Sequence, residues 1–361
     1  MNPDLFSPLT LRGLTLPNRI VVSPMCQYSS DDGFSSDWHV VHIGSRAVGG
    51  AGLVIMEATA VSPEGRISPG DHGIWKDAHI EKLRQIVAFC HTQKTPAGIQ
   101  LAHAGRKASM AAPWHGEKLV PIAEGGWETF APSAIAFSPN YSQPTALTVE
   151  GIKKVIADFR AAAQRALTAG FDLIEIHAAH GYLLHEFLSP LSNHRADEYG
   201  GAFDNRIRPL LEVVAAVREV WPESHPLFVR ISATDWAEGG WNPDESVQLA
   251  KILKGRGVDL VDCSSAALVP GVKIPIGPGF QTPFADRIRR EAGIPTGAVG
   301  MITDPAQADQ IIRNGQADIV LLARELLRDP YWPMHAAAKL GKPGLWPVQY
   351  LRAAPQGSEM R

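Results

Sequence analysis

The chain has 361 residues, 45% of them hydrophobic and 20% charged, and a formal net charge of −3. This is an ordinary globular composition. It gives no electrostatic reason for a nucleic-acid or anionic-membrane partner, and no apolar run reaches the roughly 18 residues of a membrane span. Cys26, Cys90 and Cys263 are too few and too widely spaced for a disulfide framework, a cysteine-rich zinc site or a four-cysteine iron–sulfur site. Met1-Asn-Pro-Asp shows no basic-then-apolar leader, so a reducing cytoplasm is the expected setting.

Eight short β-type runs follow one another: Arg19–Ser23, Gly52–Glu57, Ala97–Leu101, Asp172–Ile176, Leu227–Ile231, Val258–Asp262, Pro295–Val299 and Asp318–Leu322. Helical patterns lie between them at Ala78–Gln93, Val149–Ala169, Asn205–Val220, Asp244–Gly255, Pro283–Glu291 and Pro305–Asn314. Strands alternating with helices make βα units and a parallel sheet. Eight units suit a closed (β/α)8 barrel, the TIM barrel, of about 250 residues plus insertions. An open doubly wound sheet is the competing layout, but no GxGxxG follows the first strand. The extra length sits mainly in Ala102–Leu147, rich in Pro, Gly and Trp. A loop that long is usually functional. The fold class read here is α/β: a single barrel over 1–361 with a capping insertion at about 102–147 after strand three.

A barrel places function at the C-terminal ends of its strands. The first strand ends in Ser23-Pro24-Met25-Cys26-Gln27-Tyr28, where Cys26 is either a small buried hydrophobe or a residue that tunes a neighbour. Strand two closes on Ala58-Thr59-Ala60. Gln100, near the end of strand three, both donates and accepts, which suits the edge of a heterocycle. Arg230, ending strand five, is a fixed cation that requires an electron-rich partner, whether a ligand or a structural carboxylate such as Glu175 or Asp235. The seventh and eighth strands end in Thr296-Gly-Ala-Val-Gly300 and Leu321-Leu-Ala323-Arg324. Either alone reads as a plain strand–helix corner with a surface Arg. Together, after these two strands, they favour a cofactor phosphate held by backbone N–H groups and Arg324.

The fourth strand carries the densest signal: Glu175-Ile176-His177-Ala178-Ala179-His180-Gly181-Tyr182. Two imidazoles three positions apart converge on one small anion or oxygen, and Tyr182 adds a neutral O–H of intrinsic pKa about 10 that can donate a proton. A metal pair, or two satisfied structural histidines, are the alternatives for an isolated HxxH.

These residues resemble the old yellow enzymes, FMN-dependent ene-reductases, and within them the xenobiotic-reductase-like (thermophilic-like) branch. The resemblance runs from Leu5-Phe6-Ser-Pro-Leu-Thr-Leu and Asn18-Arg19 to Gln349-Tyr350-Leu-Arg352. Its motifs are Ser23-Pro-Met-Cys-Gln-Tyr28, Glu57-Ala-Thr-Ala60, His103-Ala-Gly-Arg-Lys107, His177-Ala-Ala-His-Gly-Tyr182, and Asn193-x-Arg195-x-Asp197-x-Tyr199-Gly-Gly201 with Asp204-Asn205-Arg206. It implies that Ser23, Pro24, Met25, Ala60 and Gln100 line the flavin ring. Arg230 would face the ring's N1/O2 edge, and Gly300, Ala323 and Arg324 would hold the FMN phosphate. His177 and His180 would bind the substrate's carbonyl or nitro oxygen, Tyr182 would deliver the proton, Cys26 would modulate the flavin and Tyr28 would flank the substrate. Arg352 matches a residue that reaches a neighbouring subunit's site, which implies a homodimer or homotetramer. Two positions depart from the pattern: Ala323 replaces the usual Gly before the phosphate Arg, and Val299 stands where some xenobiotic reductases have a site-shaping Trp.

The implied reaction is a ping-pong cycle. NADPH (or NADH) reduces FMN and leaves, and an enone, nitro compound or nitrate ester then takes the hydride. The rival readings are a metal-dependent barrel hydrolase using His177 and His180, and a binding barrel without turnover. The larger dienoyl-CoA reductases add an iron–sulfur site and a dinucleotide domain for which this chain has neither the cysteines nor the length.

Overall fold

The computed structural model describes residues 3–116 and 118–360. All eight expected strands form and close into one parallel barrel: β1 (Ile20–Val22), β2 (Leu53–Ala60), β3 (Ala97–Ala102), β4 (Leu173–Ala178), β5 (Leu227–Ser232), β6 (Leu260–Ser264), β7 (Thr296–Val299) and β8 (Ile319–Leu322). Closure is made by β8 pairing on β1, with Val320 opposite Ile20 and Leu322 opposite Val22. Every residue of these strands is buried. Helices cover the outer face of the sheet and side chains fill its lumen, which is why the runs read as continuous rather than alternating.

The lumen is layered. Its lower part is an apolar plug made by Val21, Leu53, Ile55, Leu173, Phe228, Leu260, Ile319 and Leu321, sealed from below by Leu11 and Leu16 of an N-terminal hairpin, Leu9–Leu11 with Leu14–Leu16. Side chains two residues apart on a strand share a face. Moving two residues toward the mouth therefore gives Ser23, Glu57, Gln100, Glu175, Arg230 and Asp262, all buried. One further step on β4 gives His177. A register shift between Met56 and Ala58 puts a bulge at Glu57.

The helices are α1 (Asp37–Val48), α2 (Ile80–Thr92), α3 (Val149–Ala169), α4 (Leu183–Leu188), α5 (Phe203–Arg218), α6 (Pro243–Gly255), α7 (Thr282–Ala292), α8 (Pro305–Arg313), α9 (Arg324–Arg328) and α10 (Trp332–Lys339). α3 shows why the pattern was readable. Thr148 caps it through the Gly151 N–H, Gly170 ends it at φ 96°, and Ile152, Val155, Phe159, Ala162 and Ala166 form one buried stripe. The fully buried Phe159 contributes about 1.5–3 kcal/mol. α1 was not expected, because Trp38 and Val41 are exposed on it and break the apolar period. Its cap is also unusual: Ser36 pairs with His39 rather than with Glu or Gln. α5 starts two residues before the expected Asn205, since its N-cap is Ala202, which has no capping side chain.

The 102–147 excursion is built from single turns, Gly105–Lys107, Pro113–His115 and Ile122–Glu124, and two tiny strands, Phe130–Ala131 and Thr145–Ala146. It is tied across the barrel mouth: Arg106 Nη2 donates to Leu268 O at 2.7 Å, and Lys107 Nζ donates to His180 O at 2.8 Å and to Ala267 O. No described helix is long and apolar enough to cross a membrane.

Candidate active site

The turn after β4 is held in a conformation few sequences adopt. His180 (φ 60°) and Gly181 (φ 72°) are consecutive left-handed residues. A Cβ on Gly181 would lie 2.3 Å from Ala267 O, so only glycine fits there. The turn is pinned by Ser232 Oγ, which accepts the His180 N–H at 2.9 Å, and by His185 Nδ1, which accepts the Gly181 N–H at 2.9 Å. The result is a cluster of three rings. The centroid of His177 lies 5.1 Å from that of His180 and 5.0 Å from that of Tyr182, each pair nearly perpendicular.

Both imidazoles are neutral. Burial, reinforced by the Arg230 cation, holds each well below the ordinary histidine range. His177 Nδ1 accepts the Ala179 N–H at 3.3 Å, which puts the ring proton on Nε2, where it can be donated. His180 Nε2 lies 2.7 Å from Ser264 Oγ. Burial pushes the Tyr182 phenol well up, with Cys26 and Tyr28 adding to the shift, so its oxygen stays protonated. The arrangement offers a neutral donor, His177 Nε2–H, to an oxygen that gains charge, with a second neutral imidazole and a phenolic proton beside it.

Below the rings, Arg230 reaches Ser23 and Asp262: Nη1 donates to Ser23 Oγ at 3.1 Å, and Nε lies 3.1 Å from Asp262 Oδ2. This corrects the partners read from sequence. The close carboxylate is Asp262, while Asp235 is taken by His185, 2.9 Å away. Glu175 instead accepts from Gln100 Nε2 at 2.8 Å, its register partner on β3.

Around the rim, Ser23 bonds to Leu322 O of the last strand, and Ala60 bonds to His72 O. Pro24, Met25 and Cys26 follow β1 as a partly buried segment without regular secondary structure. Burial, with Asp71 and Glu57 nearby, pushes the Cys26 thiol well up, which argues against a reactive thiolate. Tyr28 is left-handed (φ 50°), and its ring stands edge-on to Trp114 of the excursion at 5.5 Å. The β7 and β8 corners share a cavity of about 570 Å³ lined by Gln281, Val299, Gly300, Met301, Ala323, Arg324 and Arg328. Gly300 sits at φ +119°, and a Cβ there would lie 2.8 Å from Gln281 Nε2. Ala323, where the pattern has Gly, has φ −102° and so lies outside the left-handed region that requires glycine. Arg352 is exposed on the turn Val348–Ala353 and makes no hydrogen bond or ion pair among the described residues. No group of three or more His, Cys, Asp or Glu among the described residues is placed to hold a metal ion.

The sequence profile of the NADH:flavin oxidoreductase / NADH oxidase family matches residues 4–342. The chain belongs to this family. It is similar to the NADPH dehydrogenase of Geobacillus thermodenitrificans (strain NG80-2), 53% identical over 354 residues, covering 98% of this chain and 99% of that one. It is also similar to the NADPH dehydrogenase of Bacillus subtilis (strain 168), 50% identical over 354 residues and 98% of this chain. Among solved structures it resembles morphinone reductase, with TM-score 0.80, 30% identity, and 95% and 91% of the two chains covered. A 2-naphthoyl-CoA reductase complex matches with TM-score 0.84 at 26% identity over 94% of this chain, which spans about half, 52%, of that protein. The chain is thus an FMN-dependent oxidoreductase of the old yellow enzyme family.

The residues present fit a flavin. Glu175 Oε2 and Asp262 Oδ1 are buried without a hydrogen-bond partner among the described residues, and Arg230 Nε and Asp262 Oδ2 face each other as an ion pair at 3.1 Å. They form a polar floor below the mouth, where a heterocycle with donors and acceptors on its edge has counterparts. The cavity at the β7 and β8 corners offers Arg324 and the glycine-permitted approach at Gly300 to a phosphate.

The sequence reading missed Asp262, Lys107 and the His185–Asp235 pair as parts of the site. A charged residue inside the apolar run Leu260-Val-Asp262-Cys-Ser was the available signal, since a buried charge must be paired. No spacing rule links His185 to Asp235, fifty residues on.

Proposed function

We propose that the chain is an ene-reductase that uses NADPH to reduce the activated C=C bond of α,β-unsaturated carbonyl compounds, with nitro compounds and nitrate esters as further acceptors. The observation that carries this is the cluster of two neutral imidazoles and one protonated phenol over the Arg230 floor. Relatives named NADPH dehydrogenase support the choice of reductant, and morphinone reductase in complex with tetrahydroNAD supports a nicotinamide site in this fold.

Bound FMN supplies the two-electron chemistry, accepting a hydride and passing it to the substrate. Ser23, Pro24, Met25, Ala60 and Gln100 line its ring, Arg230 compensates charge at one edge, and Gly300, Ala323 and Arg324 hold the phosphate. His177 and His180 bind the activating oxygen of the substrate and stabilise the charge it gains. Tyr182 protonates the α-carbon and is reprotonated from water. Cys26 adjusts the fit beside the ring and Tyr28 flanks the substrate. Arg352 reaches the corresponding site of a second copy in a homodimer or larger assembly.

The test is an anaerobic visible spectrum of the purified protein, before and after NADPH and then after 2-cyclohexenone. A yellow spectrum that NADPH bleaches and the enone restores is the expected result. A protein that takes up no FMN, or whose flavin the enone leaves bleached, overturns the reading.

A further inference from the structure

We propose that Glu175 is a redox-linked proton site of the flavin centre, a carboxyl group in the barrel floor that in alkaline solution draws a proton from solvent when the flavin is reduced and returns it on reoxidation. The inference rests on the function proposed above and gives a role to a residue which that function leaves unused.

The geometry is a count of charges. Glu175 on β4 and Asp262 on β6 are completely buried, and Arg230 on β5 is the guanidinium set between them. Two carboxylates facing one cation in a low-dielectric lumen do not both ionise at neutral pH. Asp262, with its oxygen 3.1 Å from Arg230 Nε, is the partner that keeps its charge. Glu175 takes a hydrogen bond from Gln100 on one oxygen, while the other, Oε2, meets no partner among the described residues. That oxygen is where a proton sits.

Burial and then Asp262 push Glu175 up to about 8, while Arg230 limits Asp262 to about 6 against its own burial. The other strands around the pair add little charge. His177 on β4 is neutral, Cys263 on β6 has its thiol pushed well up, and Glu57 on β2 is taken by His39 at 3.1 Å and the Gln27 N–H at 2.8 Å. Ser23 and Gln100 are the counterparts on β1 and β3, and β7 and β8 contribute Gly297, Val299, Ile319 and Leu321.

A hydride delivered to the flavin adds two electrons and one proton, hence one negative charge. Arg230 is then shared with that charge, and its pull on Glu175 toward the ionised form weakens. Above about pH 8 Glu175 is ionised beneath the oxidised flavin, so reduction draws one solvent proton onto it. When the hydride leaves for the β-carbon of the substrate, that proton returns to solvent. The proton added to the substrate still comes from Tyr182, and the net stoichiometry of turnover is unchanged.

The experiment uses the FMN-loaded full chain and its Glu175→Gln variant, which keeps the neutral shape and an acceptor for Gln100. Protons taken up per electron pair are read from the pH dependence of the flavin midpoint potential. Wild type should take up close to one proton more than the variant at about pH 9, and the same number at about pH 7. Equal counts at both pH values overturn the proposal and leave the ene-reductase reading intact. Should the variant fail to take up FMN, wild type alone decides: a count that does not rise between about pH 7 and about pH 9 overturns it. A wild-type protein that takes up no FMN overturns both readings.

Discussion

His185 Nε2 lies 2.9 Å from Asp235 Oδ1, both side chains wholly buried, and this pair underpins the turn that carries the three active-site rings. His185 Nδ1 takes the Gly181 N–H at 2.9 Å, while Asp235 also accepts from Ser189 Oγ at 2.6 Å and the Trp241 N–H at 2.7 Å. Burial alone would raise the Asp235 carboxyl. The imidazole and the two further donors outweigh burial and hold it below the usual range. The ring orientation of His185, and through it the Gly181 peptide, is therefore fixed by a charge on the loop after β5.

Leaving a buried donor without its acceptor costs about 1–3 kcal/mol. Asp235→Ala is accordingly expected to lower the free energy of unfolding read from urea titration by an amount of that order, with a lower midpoint. Because the loss is transmitted through Gly181, enone reduction should fall further than flavin content. An unfolding midpoint equal to wild type would show that the pair bears no strain from the turn.

Substitutions in the ring cluster separate the two half-reactions. His177→Ala removes a neutral donor aimed at the substrate oxygen, and one such contact typically contributes about 10²–10³-fold. Stopped-flow reoxidation of the reduced enzyme by 2-cyclohexenone should slow by that factor. Tyr182→Phe keeps the ring that packs 5.0 Å from His177 but deletes the proton. Flavin reduction by NADPH should be spared and reoxidation slowed. Unchanged reoxidation in Tyr182→Phe would remove the phenol from the scheme.

Much of this was legible in the sequence because it is local. The barrel strands are short apolar runs buried on both faces, and α3 carries its own caps and stripe. His177, His180 and Tyr182 lie within six positions, so their convergence follows from one turn. What was not legible is non-local. Asp262 meets Arg230 only because β5 and β6 pair in one particular register, and His185 meets Asp235 across two elements. The hairpin that seals the barrel consists of two three-residue strands, too short to show a period. α1 exposes Trp38 and Val41, so its amphipathic signal is blurred.

The phosphate corner allows a test of backbone rather than side chain. Gly300 sits at φ +119°, where a Cβ would crowd Gln281 and Phe280 at 2.8 and 3.0 Å. Strain of this kind costs about 1–3 kcal/mol, which is roughly 5- to 150-fold in affinity. Gly300→Ala should weaken FMN binding to the apoprotein by a factor in that range, measured by quenching of flavin fluorescence. Ala323→Gly should leave it nearly unchanged, since φ is already negative there. Tighter binding in Ala323→Gly would mean that the methyl obstructs the phosphate.

Glu186 gives the fold an alkaline sensitivity that can be isolated. Its Oε1 accepts the Arg106 N–H at 2.9 Å, Oε2 has no partner among the described residues, and burial pushes the carboxyl from 4.5 up to about 8 against the pull of Arg106. An acid whose folded value is raised binds its proton more tightly when folded. Its contribution is therefore full below about 4.5 and is lost as pH rises through about 8. Asp71 and Glu175, each raised to about 8 by burial, act in the same direction. Lys107, lowered by burial to about 7, opposes them only above that pH. Glu186→Gln should therefore gain stability relative to wild type between about pH 5 and about pH 7, by at most about 1.4 kcal/mol per pH unit. Paired urea titrations at several pH values in that window read the difference directly. A difference independent of pH would mean that Glu186 is ionised in the folded chain, its charge balanced by Arg106.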